Sequence, residues 1–382
     1  MTGRLLLVAL VLVLGPAAGA LLPDQTTPPP RHALLAAIEG PVGPATARSV
    51  ADAIGAAEEG DAAVLILRLD TPGGLVTATR EIVSAILASR VPVIGHVAPA
   101  GAHAASAGTY ILYATHLAAM APGTNLGAAT PVSLGGLPGT VPDSPPGEEG
   151  KHGGEAPPPD SASALRAKQI NDAVAWIRSL AEFHGRNADW AEEAVRKGAS
   201  LTANAALERA VIELIAADAE QLLAAADGRS VRLQSGPYTL HTAGLALEPF
   251  EPGAVTRFLA VLANPNVAFI LMLIGIYGLI FEFSNPGSVA PGVIGAIALV
   301  LGLYALHQLP LDYAGLALLL LGIALMVAEA FTPSFGILGI GGLAAFVLGA
   351  AMLIDTDIPA FRIDWTVIGV MAATSGAILV LL

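Results

Sequence analysis

One serine in this sequence has neighbours that suit a nucleophile. Ser106 lies within Gly101–Tyr110, where alanine and glycine flank it on both sides. A strand-like run, Val91–Val97, precedes this stretch, and an apolar helix-like run follows it. Small neighbours leave room for a substrate backbone, and N–H groups at a helix N-terminus can stabilise a developing oxyanion. The competing interpretation is close packing in an alanine-rich protein, because short serine motifs often mislead.

A serine nucleophile needs a base, because its hydroxyl is almost never ionised at neutral pH. The soluble part offers histidines at positions 32, 96, 103, 116, 152, 184 and 241. None stands in a triad-like arrangement with a carboxylate, although a Ser-His pair stays open. Of the three lysines, Lys151 lies in a low-complexity segment and Lys197 at a charged helix end. Lys168 alone lies on an amphipathic helix, where partial burial would favour the neutral, basic amine; the alternative is a surface lysine.

The segments that must position these residues alternate between strand and helix. Ala62–Leu69 is a nearly continuous apolar run, as expected for a strand buried on both faces of a parallel sheet. It ends in Asp70–Gly74, and a helix is predicted over Val76–Ser89. Glycines at the carboxyl end of a parallel strand leave N–H groups accessible to a ligand, although an ordinary strand-to-helix turn has the same pattern. The alternation predicts an α/β fold with a mostly parallel sheet.

A low-complexity insert divides the soluble domain. Residues 133–163 consist mainly of glycine, proline and serine and cannot form a core. Such an insert is either an active-site lid or a tolerated surface insertion. A strong amphipathic helix is predicted over 164–181, followed by further helices and a closing strand. We therefore predict a domain over residues 33–235 and a linker over 236–257.

Composition separates a soluble part from a membrane part. The chain is 54% hydrophobic and only 13% charged, which is too apolar for an ordinary soluble protein. Residues 258–382 contain a single basic residue, Arg362. The net charge of −13 argues against nucleic-acid binding, which needs clustered lysine and arginine. The chain has no cysteine, which excludes disulfides, thiolate catalysis and cysteine-ligated zinc; we predict neither a metal nor a cofactor.

The N-terminus predicts export and the C-terminal part predicts membrane insertion. Residues 1–20 have the charge, apolar run and small residues of a signal peptide, with an uncleaved anchor as the alternative. A proline-rich leader follows over 21–32. Five candidate spans lie at about 266–283, 292–308, 313–331, 337–354 and 365–382. We expect a multi-pass protein of the cell (inner) membrane, with its soluble domain on the extracytoplasmic side.

A weak internal repeat is visible in the membrane part. Glu282 is followed by a Pro/Gly-containing segment and a new apolar run, and Glu329 is followed by the same arrangement. Broken helices in corresponding places are known from transporters, so a small-solute transporter is one hypothesis. Intramembrane charge is sparse, however, and Glu282, Glu329 and His307 lie near the ends of spans, where an interfacial role is expected.

Three motifs in order resemble a known family. The sequence LRLDTPGG is followed by HVAPAGAHAASAGTYI and then by MAPGTNLGAATP. Together they resemble the ClpP/crotonase-like serine proteases and, more closely, the membrane-bound serine proteases of the NfeD family. The later stretches KQINDAVAWIRSLAEFHGRNADWAEEAV and SLTANAALERAVIELIAAD, and the multi-span segment, also look like that family. The resemblance covers roughly residues 33–382.

The resemblance implies a Ser-Lys dyad. Ser106 matches the nucleophile and Lys168 the base, and no histidine occurs in Gly127–Pro131, where ClpP has one. By the same likeness, the N–H groups of Gly74 and Ala107 would form the oxyanion hole. We also predict that Gly73 and His103 contact substrate. The family implies a homo-oligomeric endopeptidase that cleaves hydrophobic segments of stomatin-like (SPFH) proteins in contact with membrane lipid.

Two departures from the family pattern limit what the resemblance implies. The insert before Lys168 is longer than expected, so the register of that lysine against the family depends on the alignment. Long NfeD proteins end in a small OB-type barrel, whereas this sequence stops at Leu382 in an apolar run; either the sequence is truncated or the barrel is lacking.

The main alternative function is a non-catalytic membrane scaffold for SPFH proteins. A CoA-handling crotonase is disfavoured, because an exported domain rarely meets CoA.

Overall fold

The computed structural model describes residues 32–131, 161–285, 287, 289–309, 311–332, 335–354 and 361–381. The predicted signal peptide lies outside these residues. So do the predicted leader up to residue 31 and the predicted insert up to residue 160.

The soluble domain contains eleven strands within the described residues, arranged in three sheets. Their bounds are β1 His32–Glu39, β2 Val64–Asp70, β3 Val93–Val97, β4 His103–Ala105, β5 Leu117–Met120, β6 Asn125–Gly127, β7 Ser200–Thr202, β8 Leu214–Ile215, β9 Ser230–Leu233, β10 Gly236–Thr239 and β11 Ala246–Pro249. The main sheet has the order β11-β1-β2-β3-β5-β8, and all its pairs are parallel.

Thirteen helices lie in the described part of the chain. Seven belong to the soluble domain: α1 Pro44–Glu59, α2 Val76–Ala88, α3 Ala107–Ala114, α4 Ser161–His184, α5 Ala188–Arg196, α6 Ala203–Glu208 and α7 Ala219–Ala226. The others are α8 Ala254–Leu262, α9 Pro265–Ser284, α10 Ala290–His307, α11 Tyr313–Phe331, α12 Ile337–Met352 and α13 Trp365–Leu381. The predicted class, a parallel α/β domain followed by apolar helices, is confirmed.

The apolar sequences of the strands explain why they form a buried parallel sheet. In β2, the run from Val64 to Leu67 is fully buried, since this strand pairs with β1 on one side and β3 on the other. The crossover helices α1 and α2 cover the sheet with their apolar faces, which include Ile54 and Ile82. Parallel strands need such crossovers and therefore end at one common edge. That edge carries Asp70 and the glycines that follow it.

A small second sheet projects beyond this edge. Its order is β4-β6-β7, with β4 and β6 parallel and β6 and β7 antiparallel. Strand β4 is joined to the end of β2, because the N–H of Thr71 donates to the carbonyl of His103 over 2.7 Å. Strand β4 is therefore held next to the carboxyl end of β2.

The structure differs from the sequence prediction at residues 236–257. This stretch, predicted as a linker, contains β10, β11 and the start of α8. Strand β9 pairs only with β10 in a separate hairpin. Strand β11 instead forms the edge of the main sheet, in parallel register with β1. It has exposed, mixed residues, so its sequence lacks the apolar run that identifies a buried strand.

The membrane part contains two similar helical hairpins. Backbone atoms of Leu299 contact Gly275, and those of Phe346 contact Gly322, a shift of 47 positions in both partners. Helices α9 and α10 thus pack at glycine as α11 and α12 do, which supports the internal repeat. Among the described residues, α9 and α10 are long and apolar enough to cross a membrane, and the apolar helices within α11, α12 and α13 are shorter. The number of spans therefore stays a prediction.

The two glutamates of the repeat bind the helix that follows each of them. A Glu282 carboxylate oxygen accepts the N–H of Val289 over 3.1 Å. The Glu329 carboxylate accepts the N–H of Gly336 over 2.9 Å and that of Leu338 over 3.1 Å. Carboxylates at helix N-termini satisfy donors that lack an intrahelical partner. The structure thus gives both side chains a structural role, which weakens the transporter hypothesis.

A buried histidine makes the soluble domain sensitive to acid. The His116 Nδ1 accepts the N–H of Val93 over 2.9 Å, and its Nε2 is buried without a hydrogen-bond partner. Burial, with a smaller contribution from the Arg186 guanidinium, lowers the pKa of His116 from 6.5 to about 4. The unfolded chain therefore binds more protons than the folded chain between these two pH values, and stability is lost as the pH falls through that window.

We expect His116 to lower the free energy of unfolding by roughly 2 kcal/mol when the pH falls from 7.5 to 5. The measurement is urea unfolding at both pH values, followed by tryptophan fluorescence. In His116→Asn, whose amide oxygen can replace Nδ1 as the acceptor for Val93, this part of the pH dependence should disappear. The exposed His241 provides the control, because His241→Asn should retain it. Equal pH dependence in the wild type and His116→Asn would contradict the assignment.

Candidate active site

Ser106 lies on a sharp turn between β4 and α3. Its φ of +50° and ψ of −111° belong to a region that side-chain-bearing residues rarely occupy. The Ser106 N–H donates to the carbonyl of Gly127 over 2.9 Å, and the Ser106 carbonyl accepts the N–H of Thr109 over 3.0 Å. The surrounding hydrogen bonds thus hold a backbone conformation that is costly by itself. Such a strand-to-helix turn is typical of a serine nucleophile presented to a cleft.

The glycine pair after β2 comes directly against this serine. A Cβ at Gly73 would lie 2.7 Å from the Ser106 Cβ, and Gly73 itself has a φ of +122°. Both observations require glycine at this position. A Cβ at Gly74 would collide with the backbone of Val42. Any side chain at either position would therefore displace the loop or the serine.

Gly74 and Ala107, predicted to form the oxyanion hole, lie next to Ser106 in the structure, and this role stays a prediction. Val42 holds the glycine loop through two hydrogen bonds of 2.8 Å, which use the Gly73 carbonyl and the Leu75 N–H. The Gly74 N–H between them takes no part in this pairing. Ala107 is the first residue of α3, so its N–H has no acceptor within the helix. Gly74 and Ala107 both line the cleft beside Ser106.

The far end of α3 is fixed by a buried ion pair. Arg186 is almost fully buried and donates to the carbonyls of Leu112 and Tyr113 over 3.0 and 2.8 Å. Its guanidinium also pairs with the Glu213 carboxylate over 2.8 Å. A cation at a helix C-terminus satisfies carbonyls that have no intrahelical donor. The helix that begins just after Ser106 is therefore held at both ends.

Ser106 opens onto a cleft of about 270 Å³ between α2, α3 and α4. Its lining combines small, apolar and aromatic residues with a few polar ones: Gly74, Val76, Thr79, Arg80, Ser106, Ala107, Tyr110, Ala129, Pro131, Gln169, Asp172, Ala173 and Trp176. This size and composition suit a small, largely apolar group with a few polar contacts.

One wall of the cleft is a stack of three side chains. The Trp176 ring lies 4.6 Å from the Tyr110 ring, and the Arg80 guanidinium lies 4.3 Å from the tryptophan ring. Arg80 also forms a 2.6 Å ion pair with Asp172 of α4. The Tyr110 hydroxyl donates to the carbonyl of Ala129 over 3.1 Å. Burial raises the pKa of this hydroxyl, which therefore remains a donor. The stack fixes α4 against α2 and α3.

Lys168 lies in α4 but not in the lining of the cleft. Its side chain is exposed, so the partial burial considered from the sequence is not present. Its neighbour Gln169 lines the cleft, as does Asp172, one turn further along the helix. Residues four apart share a helix face, so Lys168 lies at the edge of the face that covers Ser106. Its assignment as the base stays a prediction.

The described histidines lie away from the serine. His103 does not line the cleft; its Nδ1 lies 3.1 Å from a carboxylate oxygen of Asp70, which also accepts the His103 N–H over 3.1 Å. His96 contacts the carbonyl of Ala216, and His184 that of Ala114. None of the histidines in the described ranges lines the Ser106 cleft. This geometry gives no support to a Ser-His pair, and contact of His103 with substrate stays a prediction.

Sequence reasoning missed the residues of the aromatic wall. Arg80, Asp172 and Trp176 come from α2 and α4, which are far apart in sequence, and no local motif marks their meeting. Only Tyr110 carried a usable signal, because it follows Ser106 by one helical turn and therefore shares its face.

Comparison with known proteins agrees with this geometry. Family models match twice: the NfeD1b N-terminal domain at residues 35–139 and the NfeD integral membrane domain at 266–382. The membrane-bound protease PH1510 of Pyrococcus horikoshii is 36% identical over 299 residues, which are 78% of this chain and 63% of that protein. The membrane protein NfeD1b of Bacillus subtilis is 30% identical over 303 residues, 76% of this chain and 60% of that protein. The chain thus spans less than two thirds of both curated relatives.

Solved structures match the soluble domain. A lysine-to-alanine mutant of the 1510-N membrane-bound stomatin-specific protease, in complex with a substrate peptide, has a TM-score of 0.51 and 34% identity; the match covers 61% of this chain and 97% of that one. A serine-to-alanine mutant of the same protease has a TM-score of 0.50 and 35% identity, with 59% and 99% covered. With both of its domains matched in order, the chain belongs to the NfeD family of membrane proteins.

Proposed function

We propose that this membrane protein is a serine endopeptidase in which Ser106 is the nucleophile and Lys168 the general base. The observation that carries the proposal is the Ser106 turn, which lines a largely apolar cleft together with Gly74 and Ala107. The strained backbone at Ser106 costs stability, as is common at functional sites. N–H donors next to a serine nucleophile would stabilise the oxyanion that forms in acyl transfer. The similar stomatin-specific protease supports the same conclusion.

The reaction is acyl transfer in two steps. The neutral amine of Lys168 takes the hydroxyl proton as the Ser106 oxygen attacks the scissile carbonyl. The carbonyl oxygen becomes an oxyanion, which the N–H groups of Gly74 and Ala107 stabilise. The ammonium then gives its proton to the leaving amine, and the C–N bond breaks. Water hydrolyses the resulting ester by the same path in reverse and frees the serine.

The substrate we propose is an apolar segment of a stomatin-like (SPFH) membrane protein, and we propose that the enzyme works as a homo-oligomer. The cleft walls are mainly apolar and aromatic, and Val76, Ala173 and Trp176 are among the residues that line it. Apolar residues on both sides of the scissile bond would bury surface there. The spans and the predicted signal peptide favour a multi-pass protein whose catalytic domain lies on the extracytoplasmic side.

The test is a matched peptide panel with the full chain in detergent. One set carries the apolar segment of a stomatin-type protein, and the matched set has the apolar residues around the scissile bond replaced by serine and glutamate. We expect cleavage of the apolar set to be at least about tenfold faster, because a polar group would enter the cleft without its hydration. Equal cleavage of both sets would overturn the substrate class, and no cleavage of either set would overturn the proposed activity.

One observation favours the alternative, a non-catalytic scaffold for SPFH proteins. The Lys168 side chain is exposed and absent from the cleft lining, as expected if it has no partner in catalysis. A scaffold would keep the fold and the cleft but would not need the lysine. Substitution of this residue therefore separates the two functions.

A further inference from the structure

Helix α8 presents a row of apolar side chains to the outside of the protein. Val255, Phe258 and Val261 recur every three residues and are 63%, 53% and 58% exposed. Side chains at this spacing lie on neighbouring positions of one helix face. Three large apolar residues exposed together on a nine-residue helix differ from the scattered exposure that is normal for a surface.

Other side chains of α8 fix the helix to the soluble domain. Thr256 is buried, and its hydroxyl donates to the Asp52 carboxylate of α1 over 2.6 Å. Leu262 is buried and Leu259 is half-buried in the core. The helix therefore cannot rotate to hide Val255, Phe258 and Val261 without breaking these contacts.

The chain places α8 at the level where the apolar helices begin. Leu262 ends α8, and Pro265 starts α9, which is long and apolar enough to cross a membrane. The start of α9 is tied to the start of α13, because Asn266 and Asp364 exchange two hydrogen bonds of 2.7 and 2.9 Å. These helix ends therefore lie at one common level.

Apolar helices also begin with exposed aromatic side chains. Trp365 is the first residue of α13 and Tyr313 the first of α11, and both rings are largely exposed. Tryptophan and tyrosine at the ends of apolar helices are typical of the boundary between membrane and water. The level of α8 thus has two marks of a bilayer interface, the start of a candidate span and the exposed Trp365 next to Asp364, which pairs with the start of that span.

We infer that α8 is an interfacial helix, which lies in the plane of the bilayer with Val255, Phe258 and Val261 inserted among the lipids. Its partner is a lipid surface, because the helix joins the first apolar helix through only two residues. The apolar face would lie about 5–10 Å into the boundary between headgroups and acyl chains. Arg257, exposed beside Phe258, supplies a cation at the level of the lipid phosphates. The helix thus fixes which side of the soluble domain faces the membrane.

The absence of cysteine from the sequence makes a direct test possible. Single cysteines replace Val255, Phe258 and Val261 in turn, and each carries a nitroxide spin label. The full chain is reconstituted in vesicles of phosphatidylethanolamine with phosphatidylglycerol. Collision of the label with oxygen, which dissolves in lipid, is compared with collision with a water-soluble nickel chelate. Since the three side chains are already exposed, the substitutions leave the core of the protein intact.

We expect oxygen collisions to exceed nickel collisions at all three positions, with the deepest label at position 258. A label in Leu207→Cys, an exposed leucine on α6, is the control and should favour nickel. A label in Arg257→Cys should also lie closer to water than the label at position 258. Nickel-dominated collisions along the whole apolar face would overturn the inference. So would exclusion of both reagents, which would show that a second copy or another protein covers α8.

This test does not depend on proteolysis. The labels report the position of α8 even if the proposed activity is absent, and the peptide panel reports the activity even if α8 lies in water. Failure of one proposal is therefore distinguishable from failure of the other.

Discussion

Replacing Ser106 with alanine should lower peptide cleavage by a factor on the order of 10⁴ or more. The change removes the only atom that forms the acyl-enzyme and leaves the turn and the N–H groups of Gly74 and Ala107 in place. What remains is binding and oxyanion stabilisation, which alone give a small fraction of the rate. The measurement is kcat and KM for the apolar peptide with the full chain in detergent. We expect the loss in kcat, with KM little changed.

A matched control separates the nucleophile from any other serine. Ser230 is exposed on β9, away from the cleft, and Ser230→Ala should retain full activity. The urea midpoint of Ser106→Ala should equal or exceed that of the wild type, because no packing is lost. Retention of wild-type kcat in Ser106→Ala would exclude this serine as the nucleophile.

Replacing Lys168 with alanine should lower kcat by roughly 10²–10⁴-fold, which is the contribution expected of a positioned general base. The lysine starts at the edge of the α4 face that covers Ser106, and we expect its long, flexible stem to bring the amine into the cleft when substrate is bound. Catalytic contacts are often loose without substrate and tighten only in the complex. The measurement is kcat for the apolar peptide, with binding of the same peptide measured separately.

Lys197 provides the matched control for Lys168. It is exposed at the end of α5, and its amine pairs with Glu193 over 3.2 Å. Lys197→Ala removes the same charge and should leave kcat unchanged. If Lys168→Ala cleaves as fast as Lys197→Ala, lysine is not the base and the dyad is excluded. If neither variant nor the wild type cleaves, the scaffold function is favoured.

The soluble fold could be predicted where strands are apolar. The run that became β2 and the turn after it were readable because a central parallel strand shows hydrophobicity on both faces. Strand β11 was not readable, since Ala246–Pro249 is exposed and gains its place only by pairing with β1. A periodic apolar pattern in the sequence arises from burial of side chains. An exposed edge strand buries few side chains and therefore lacks this pattern.

The site was predictable only where chemistry is local in sequence. The turn at Ser106 and the glycines before α2 each form one short motif, and the structure brings them into contact. The cleft wall that contains Arg80, Trp176 and Asp172 depends on how α2 and α4 pack. These helices are far apart in sequence, and no sequence motif predicts their contact. The position of Lys168 was open for a related reason, because the long insert before it leaves the register of α4 against the cleft undetermined by pattern.

The repeat in the membrane part could be predicted from the sequence, but the role of its two glutamates could not. The spacing of Glu282 and Glu329 suggested corresponding helix breaks. The structure shows both carboxylates bound to backbone N–H groups of the next helix, which explains why a charged residue recurs at this point. Sequence alone could not distinguish such a helix-capping role from a transport site.

The most direct test of the central claim is covalent labelling of Ser106. The full chain in detergent is treated with a fluorophosphonate, and the adduct is located by mass spectrometry of its peptides, in parallel with Ser106→Ala and Lys168→Ala. We expect one adduct on Ser106 in the wild type, none in the serine variant, and strongly reduced labelling in the lysine variant. A folded protein that forms no adduct, or forms it elsewhere, would contradict the assignment of Ser106 as an activated nucleophile.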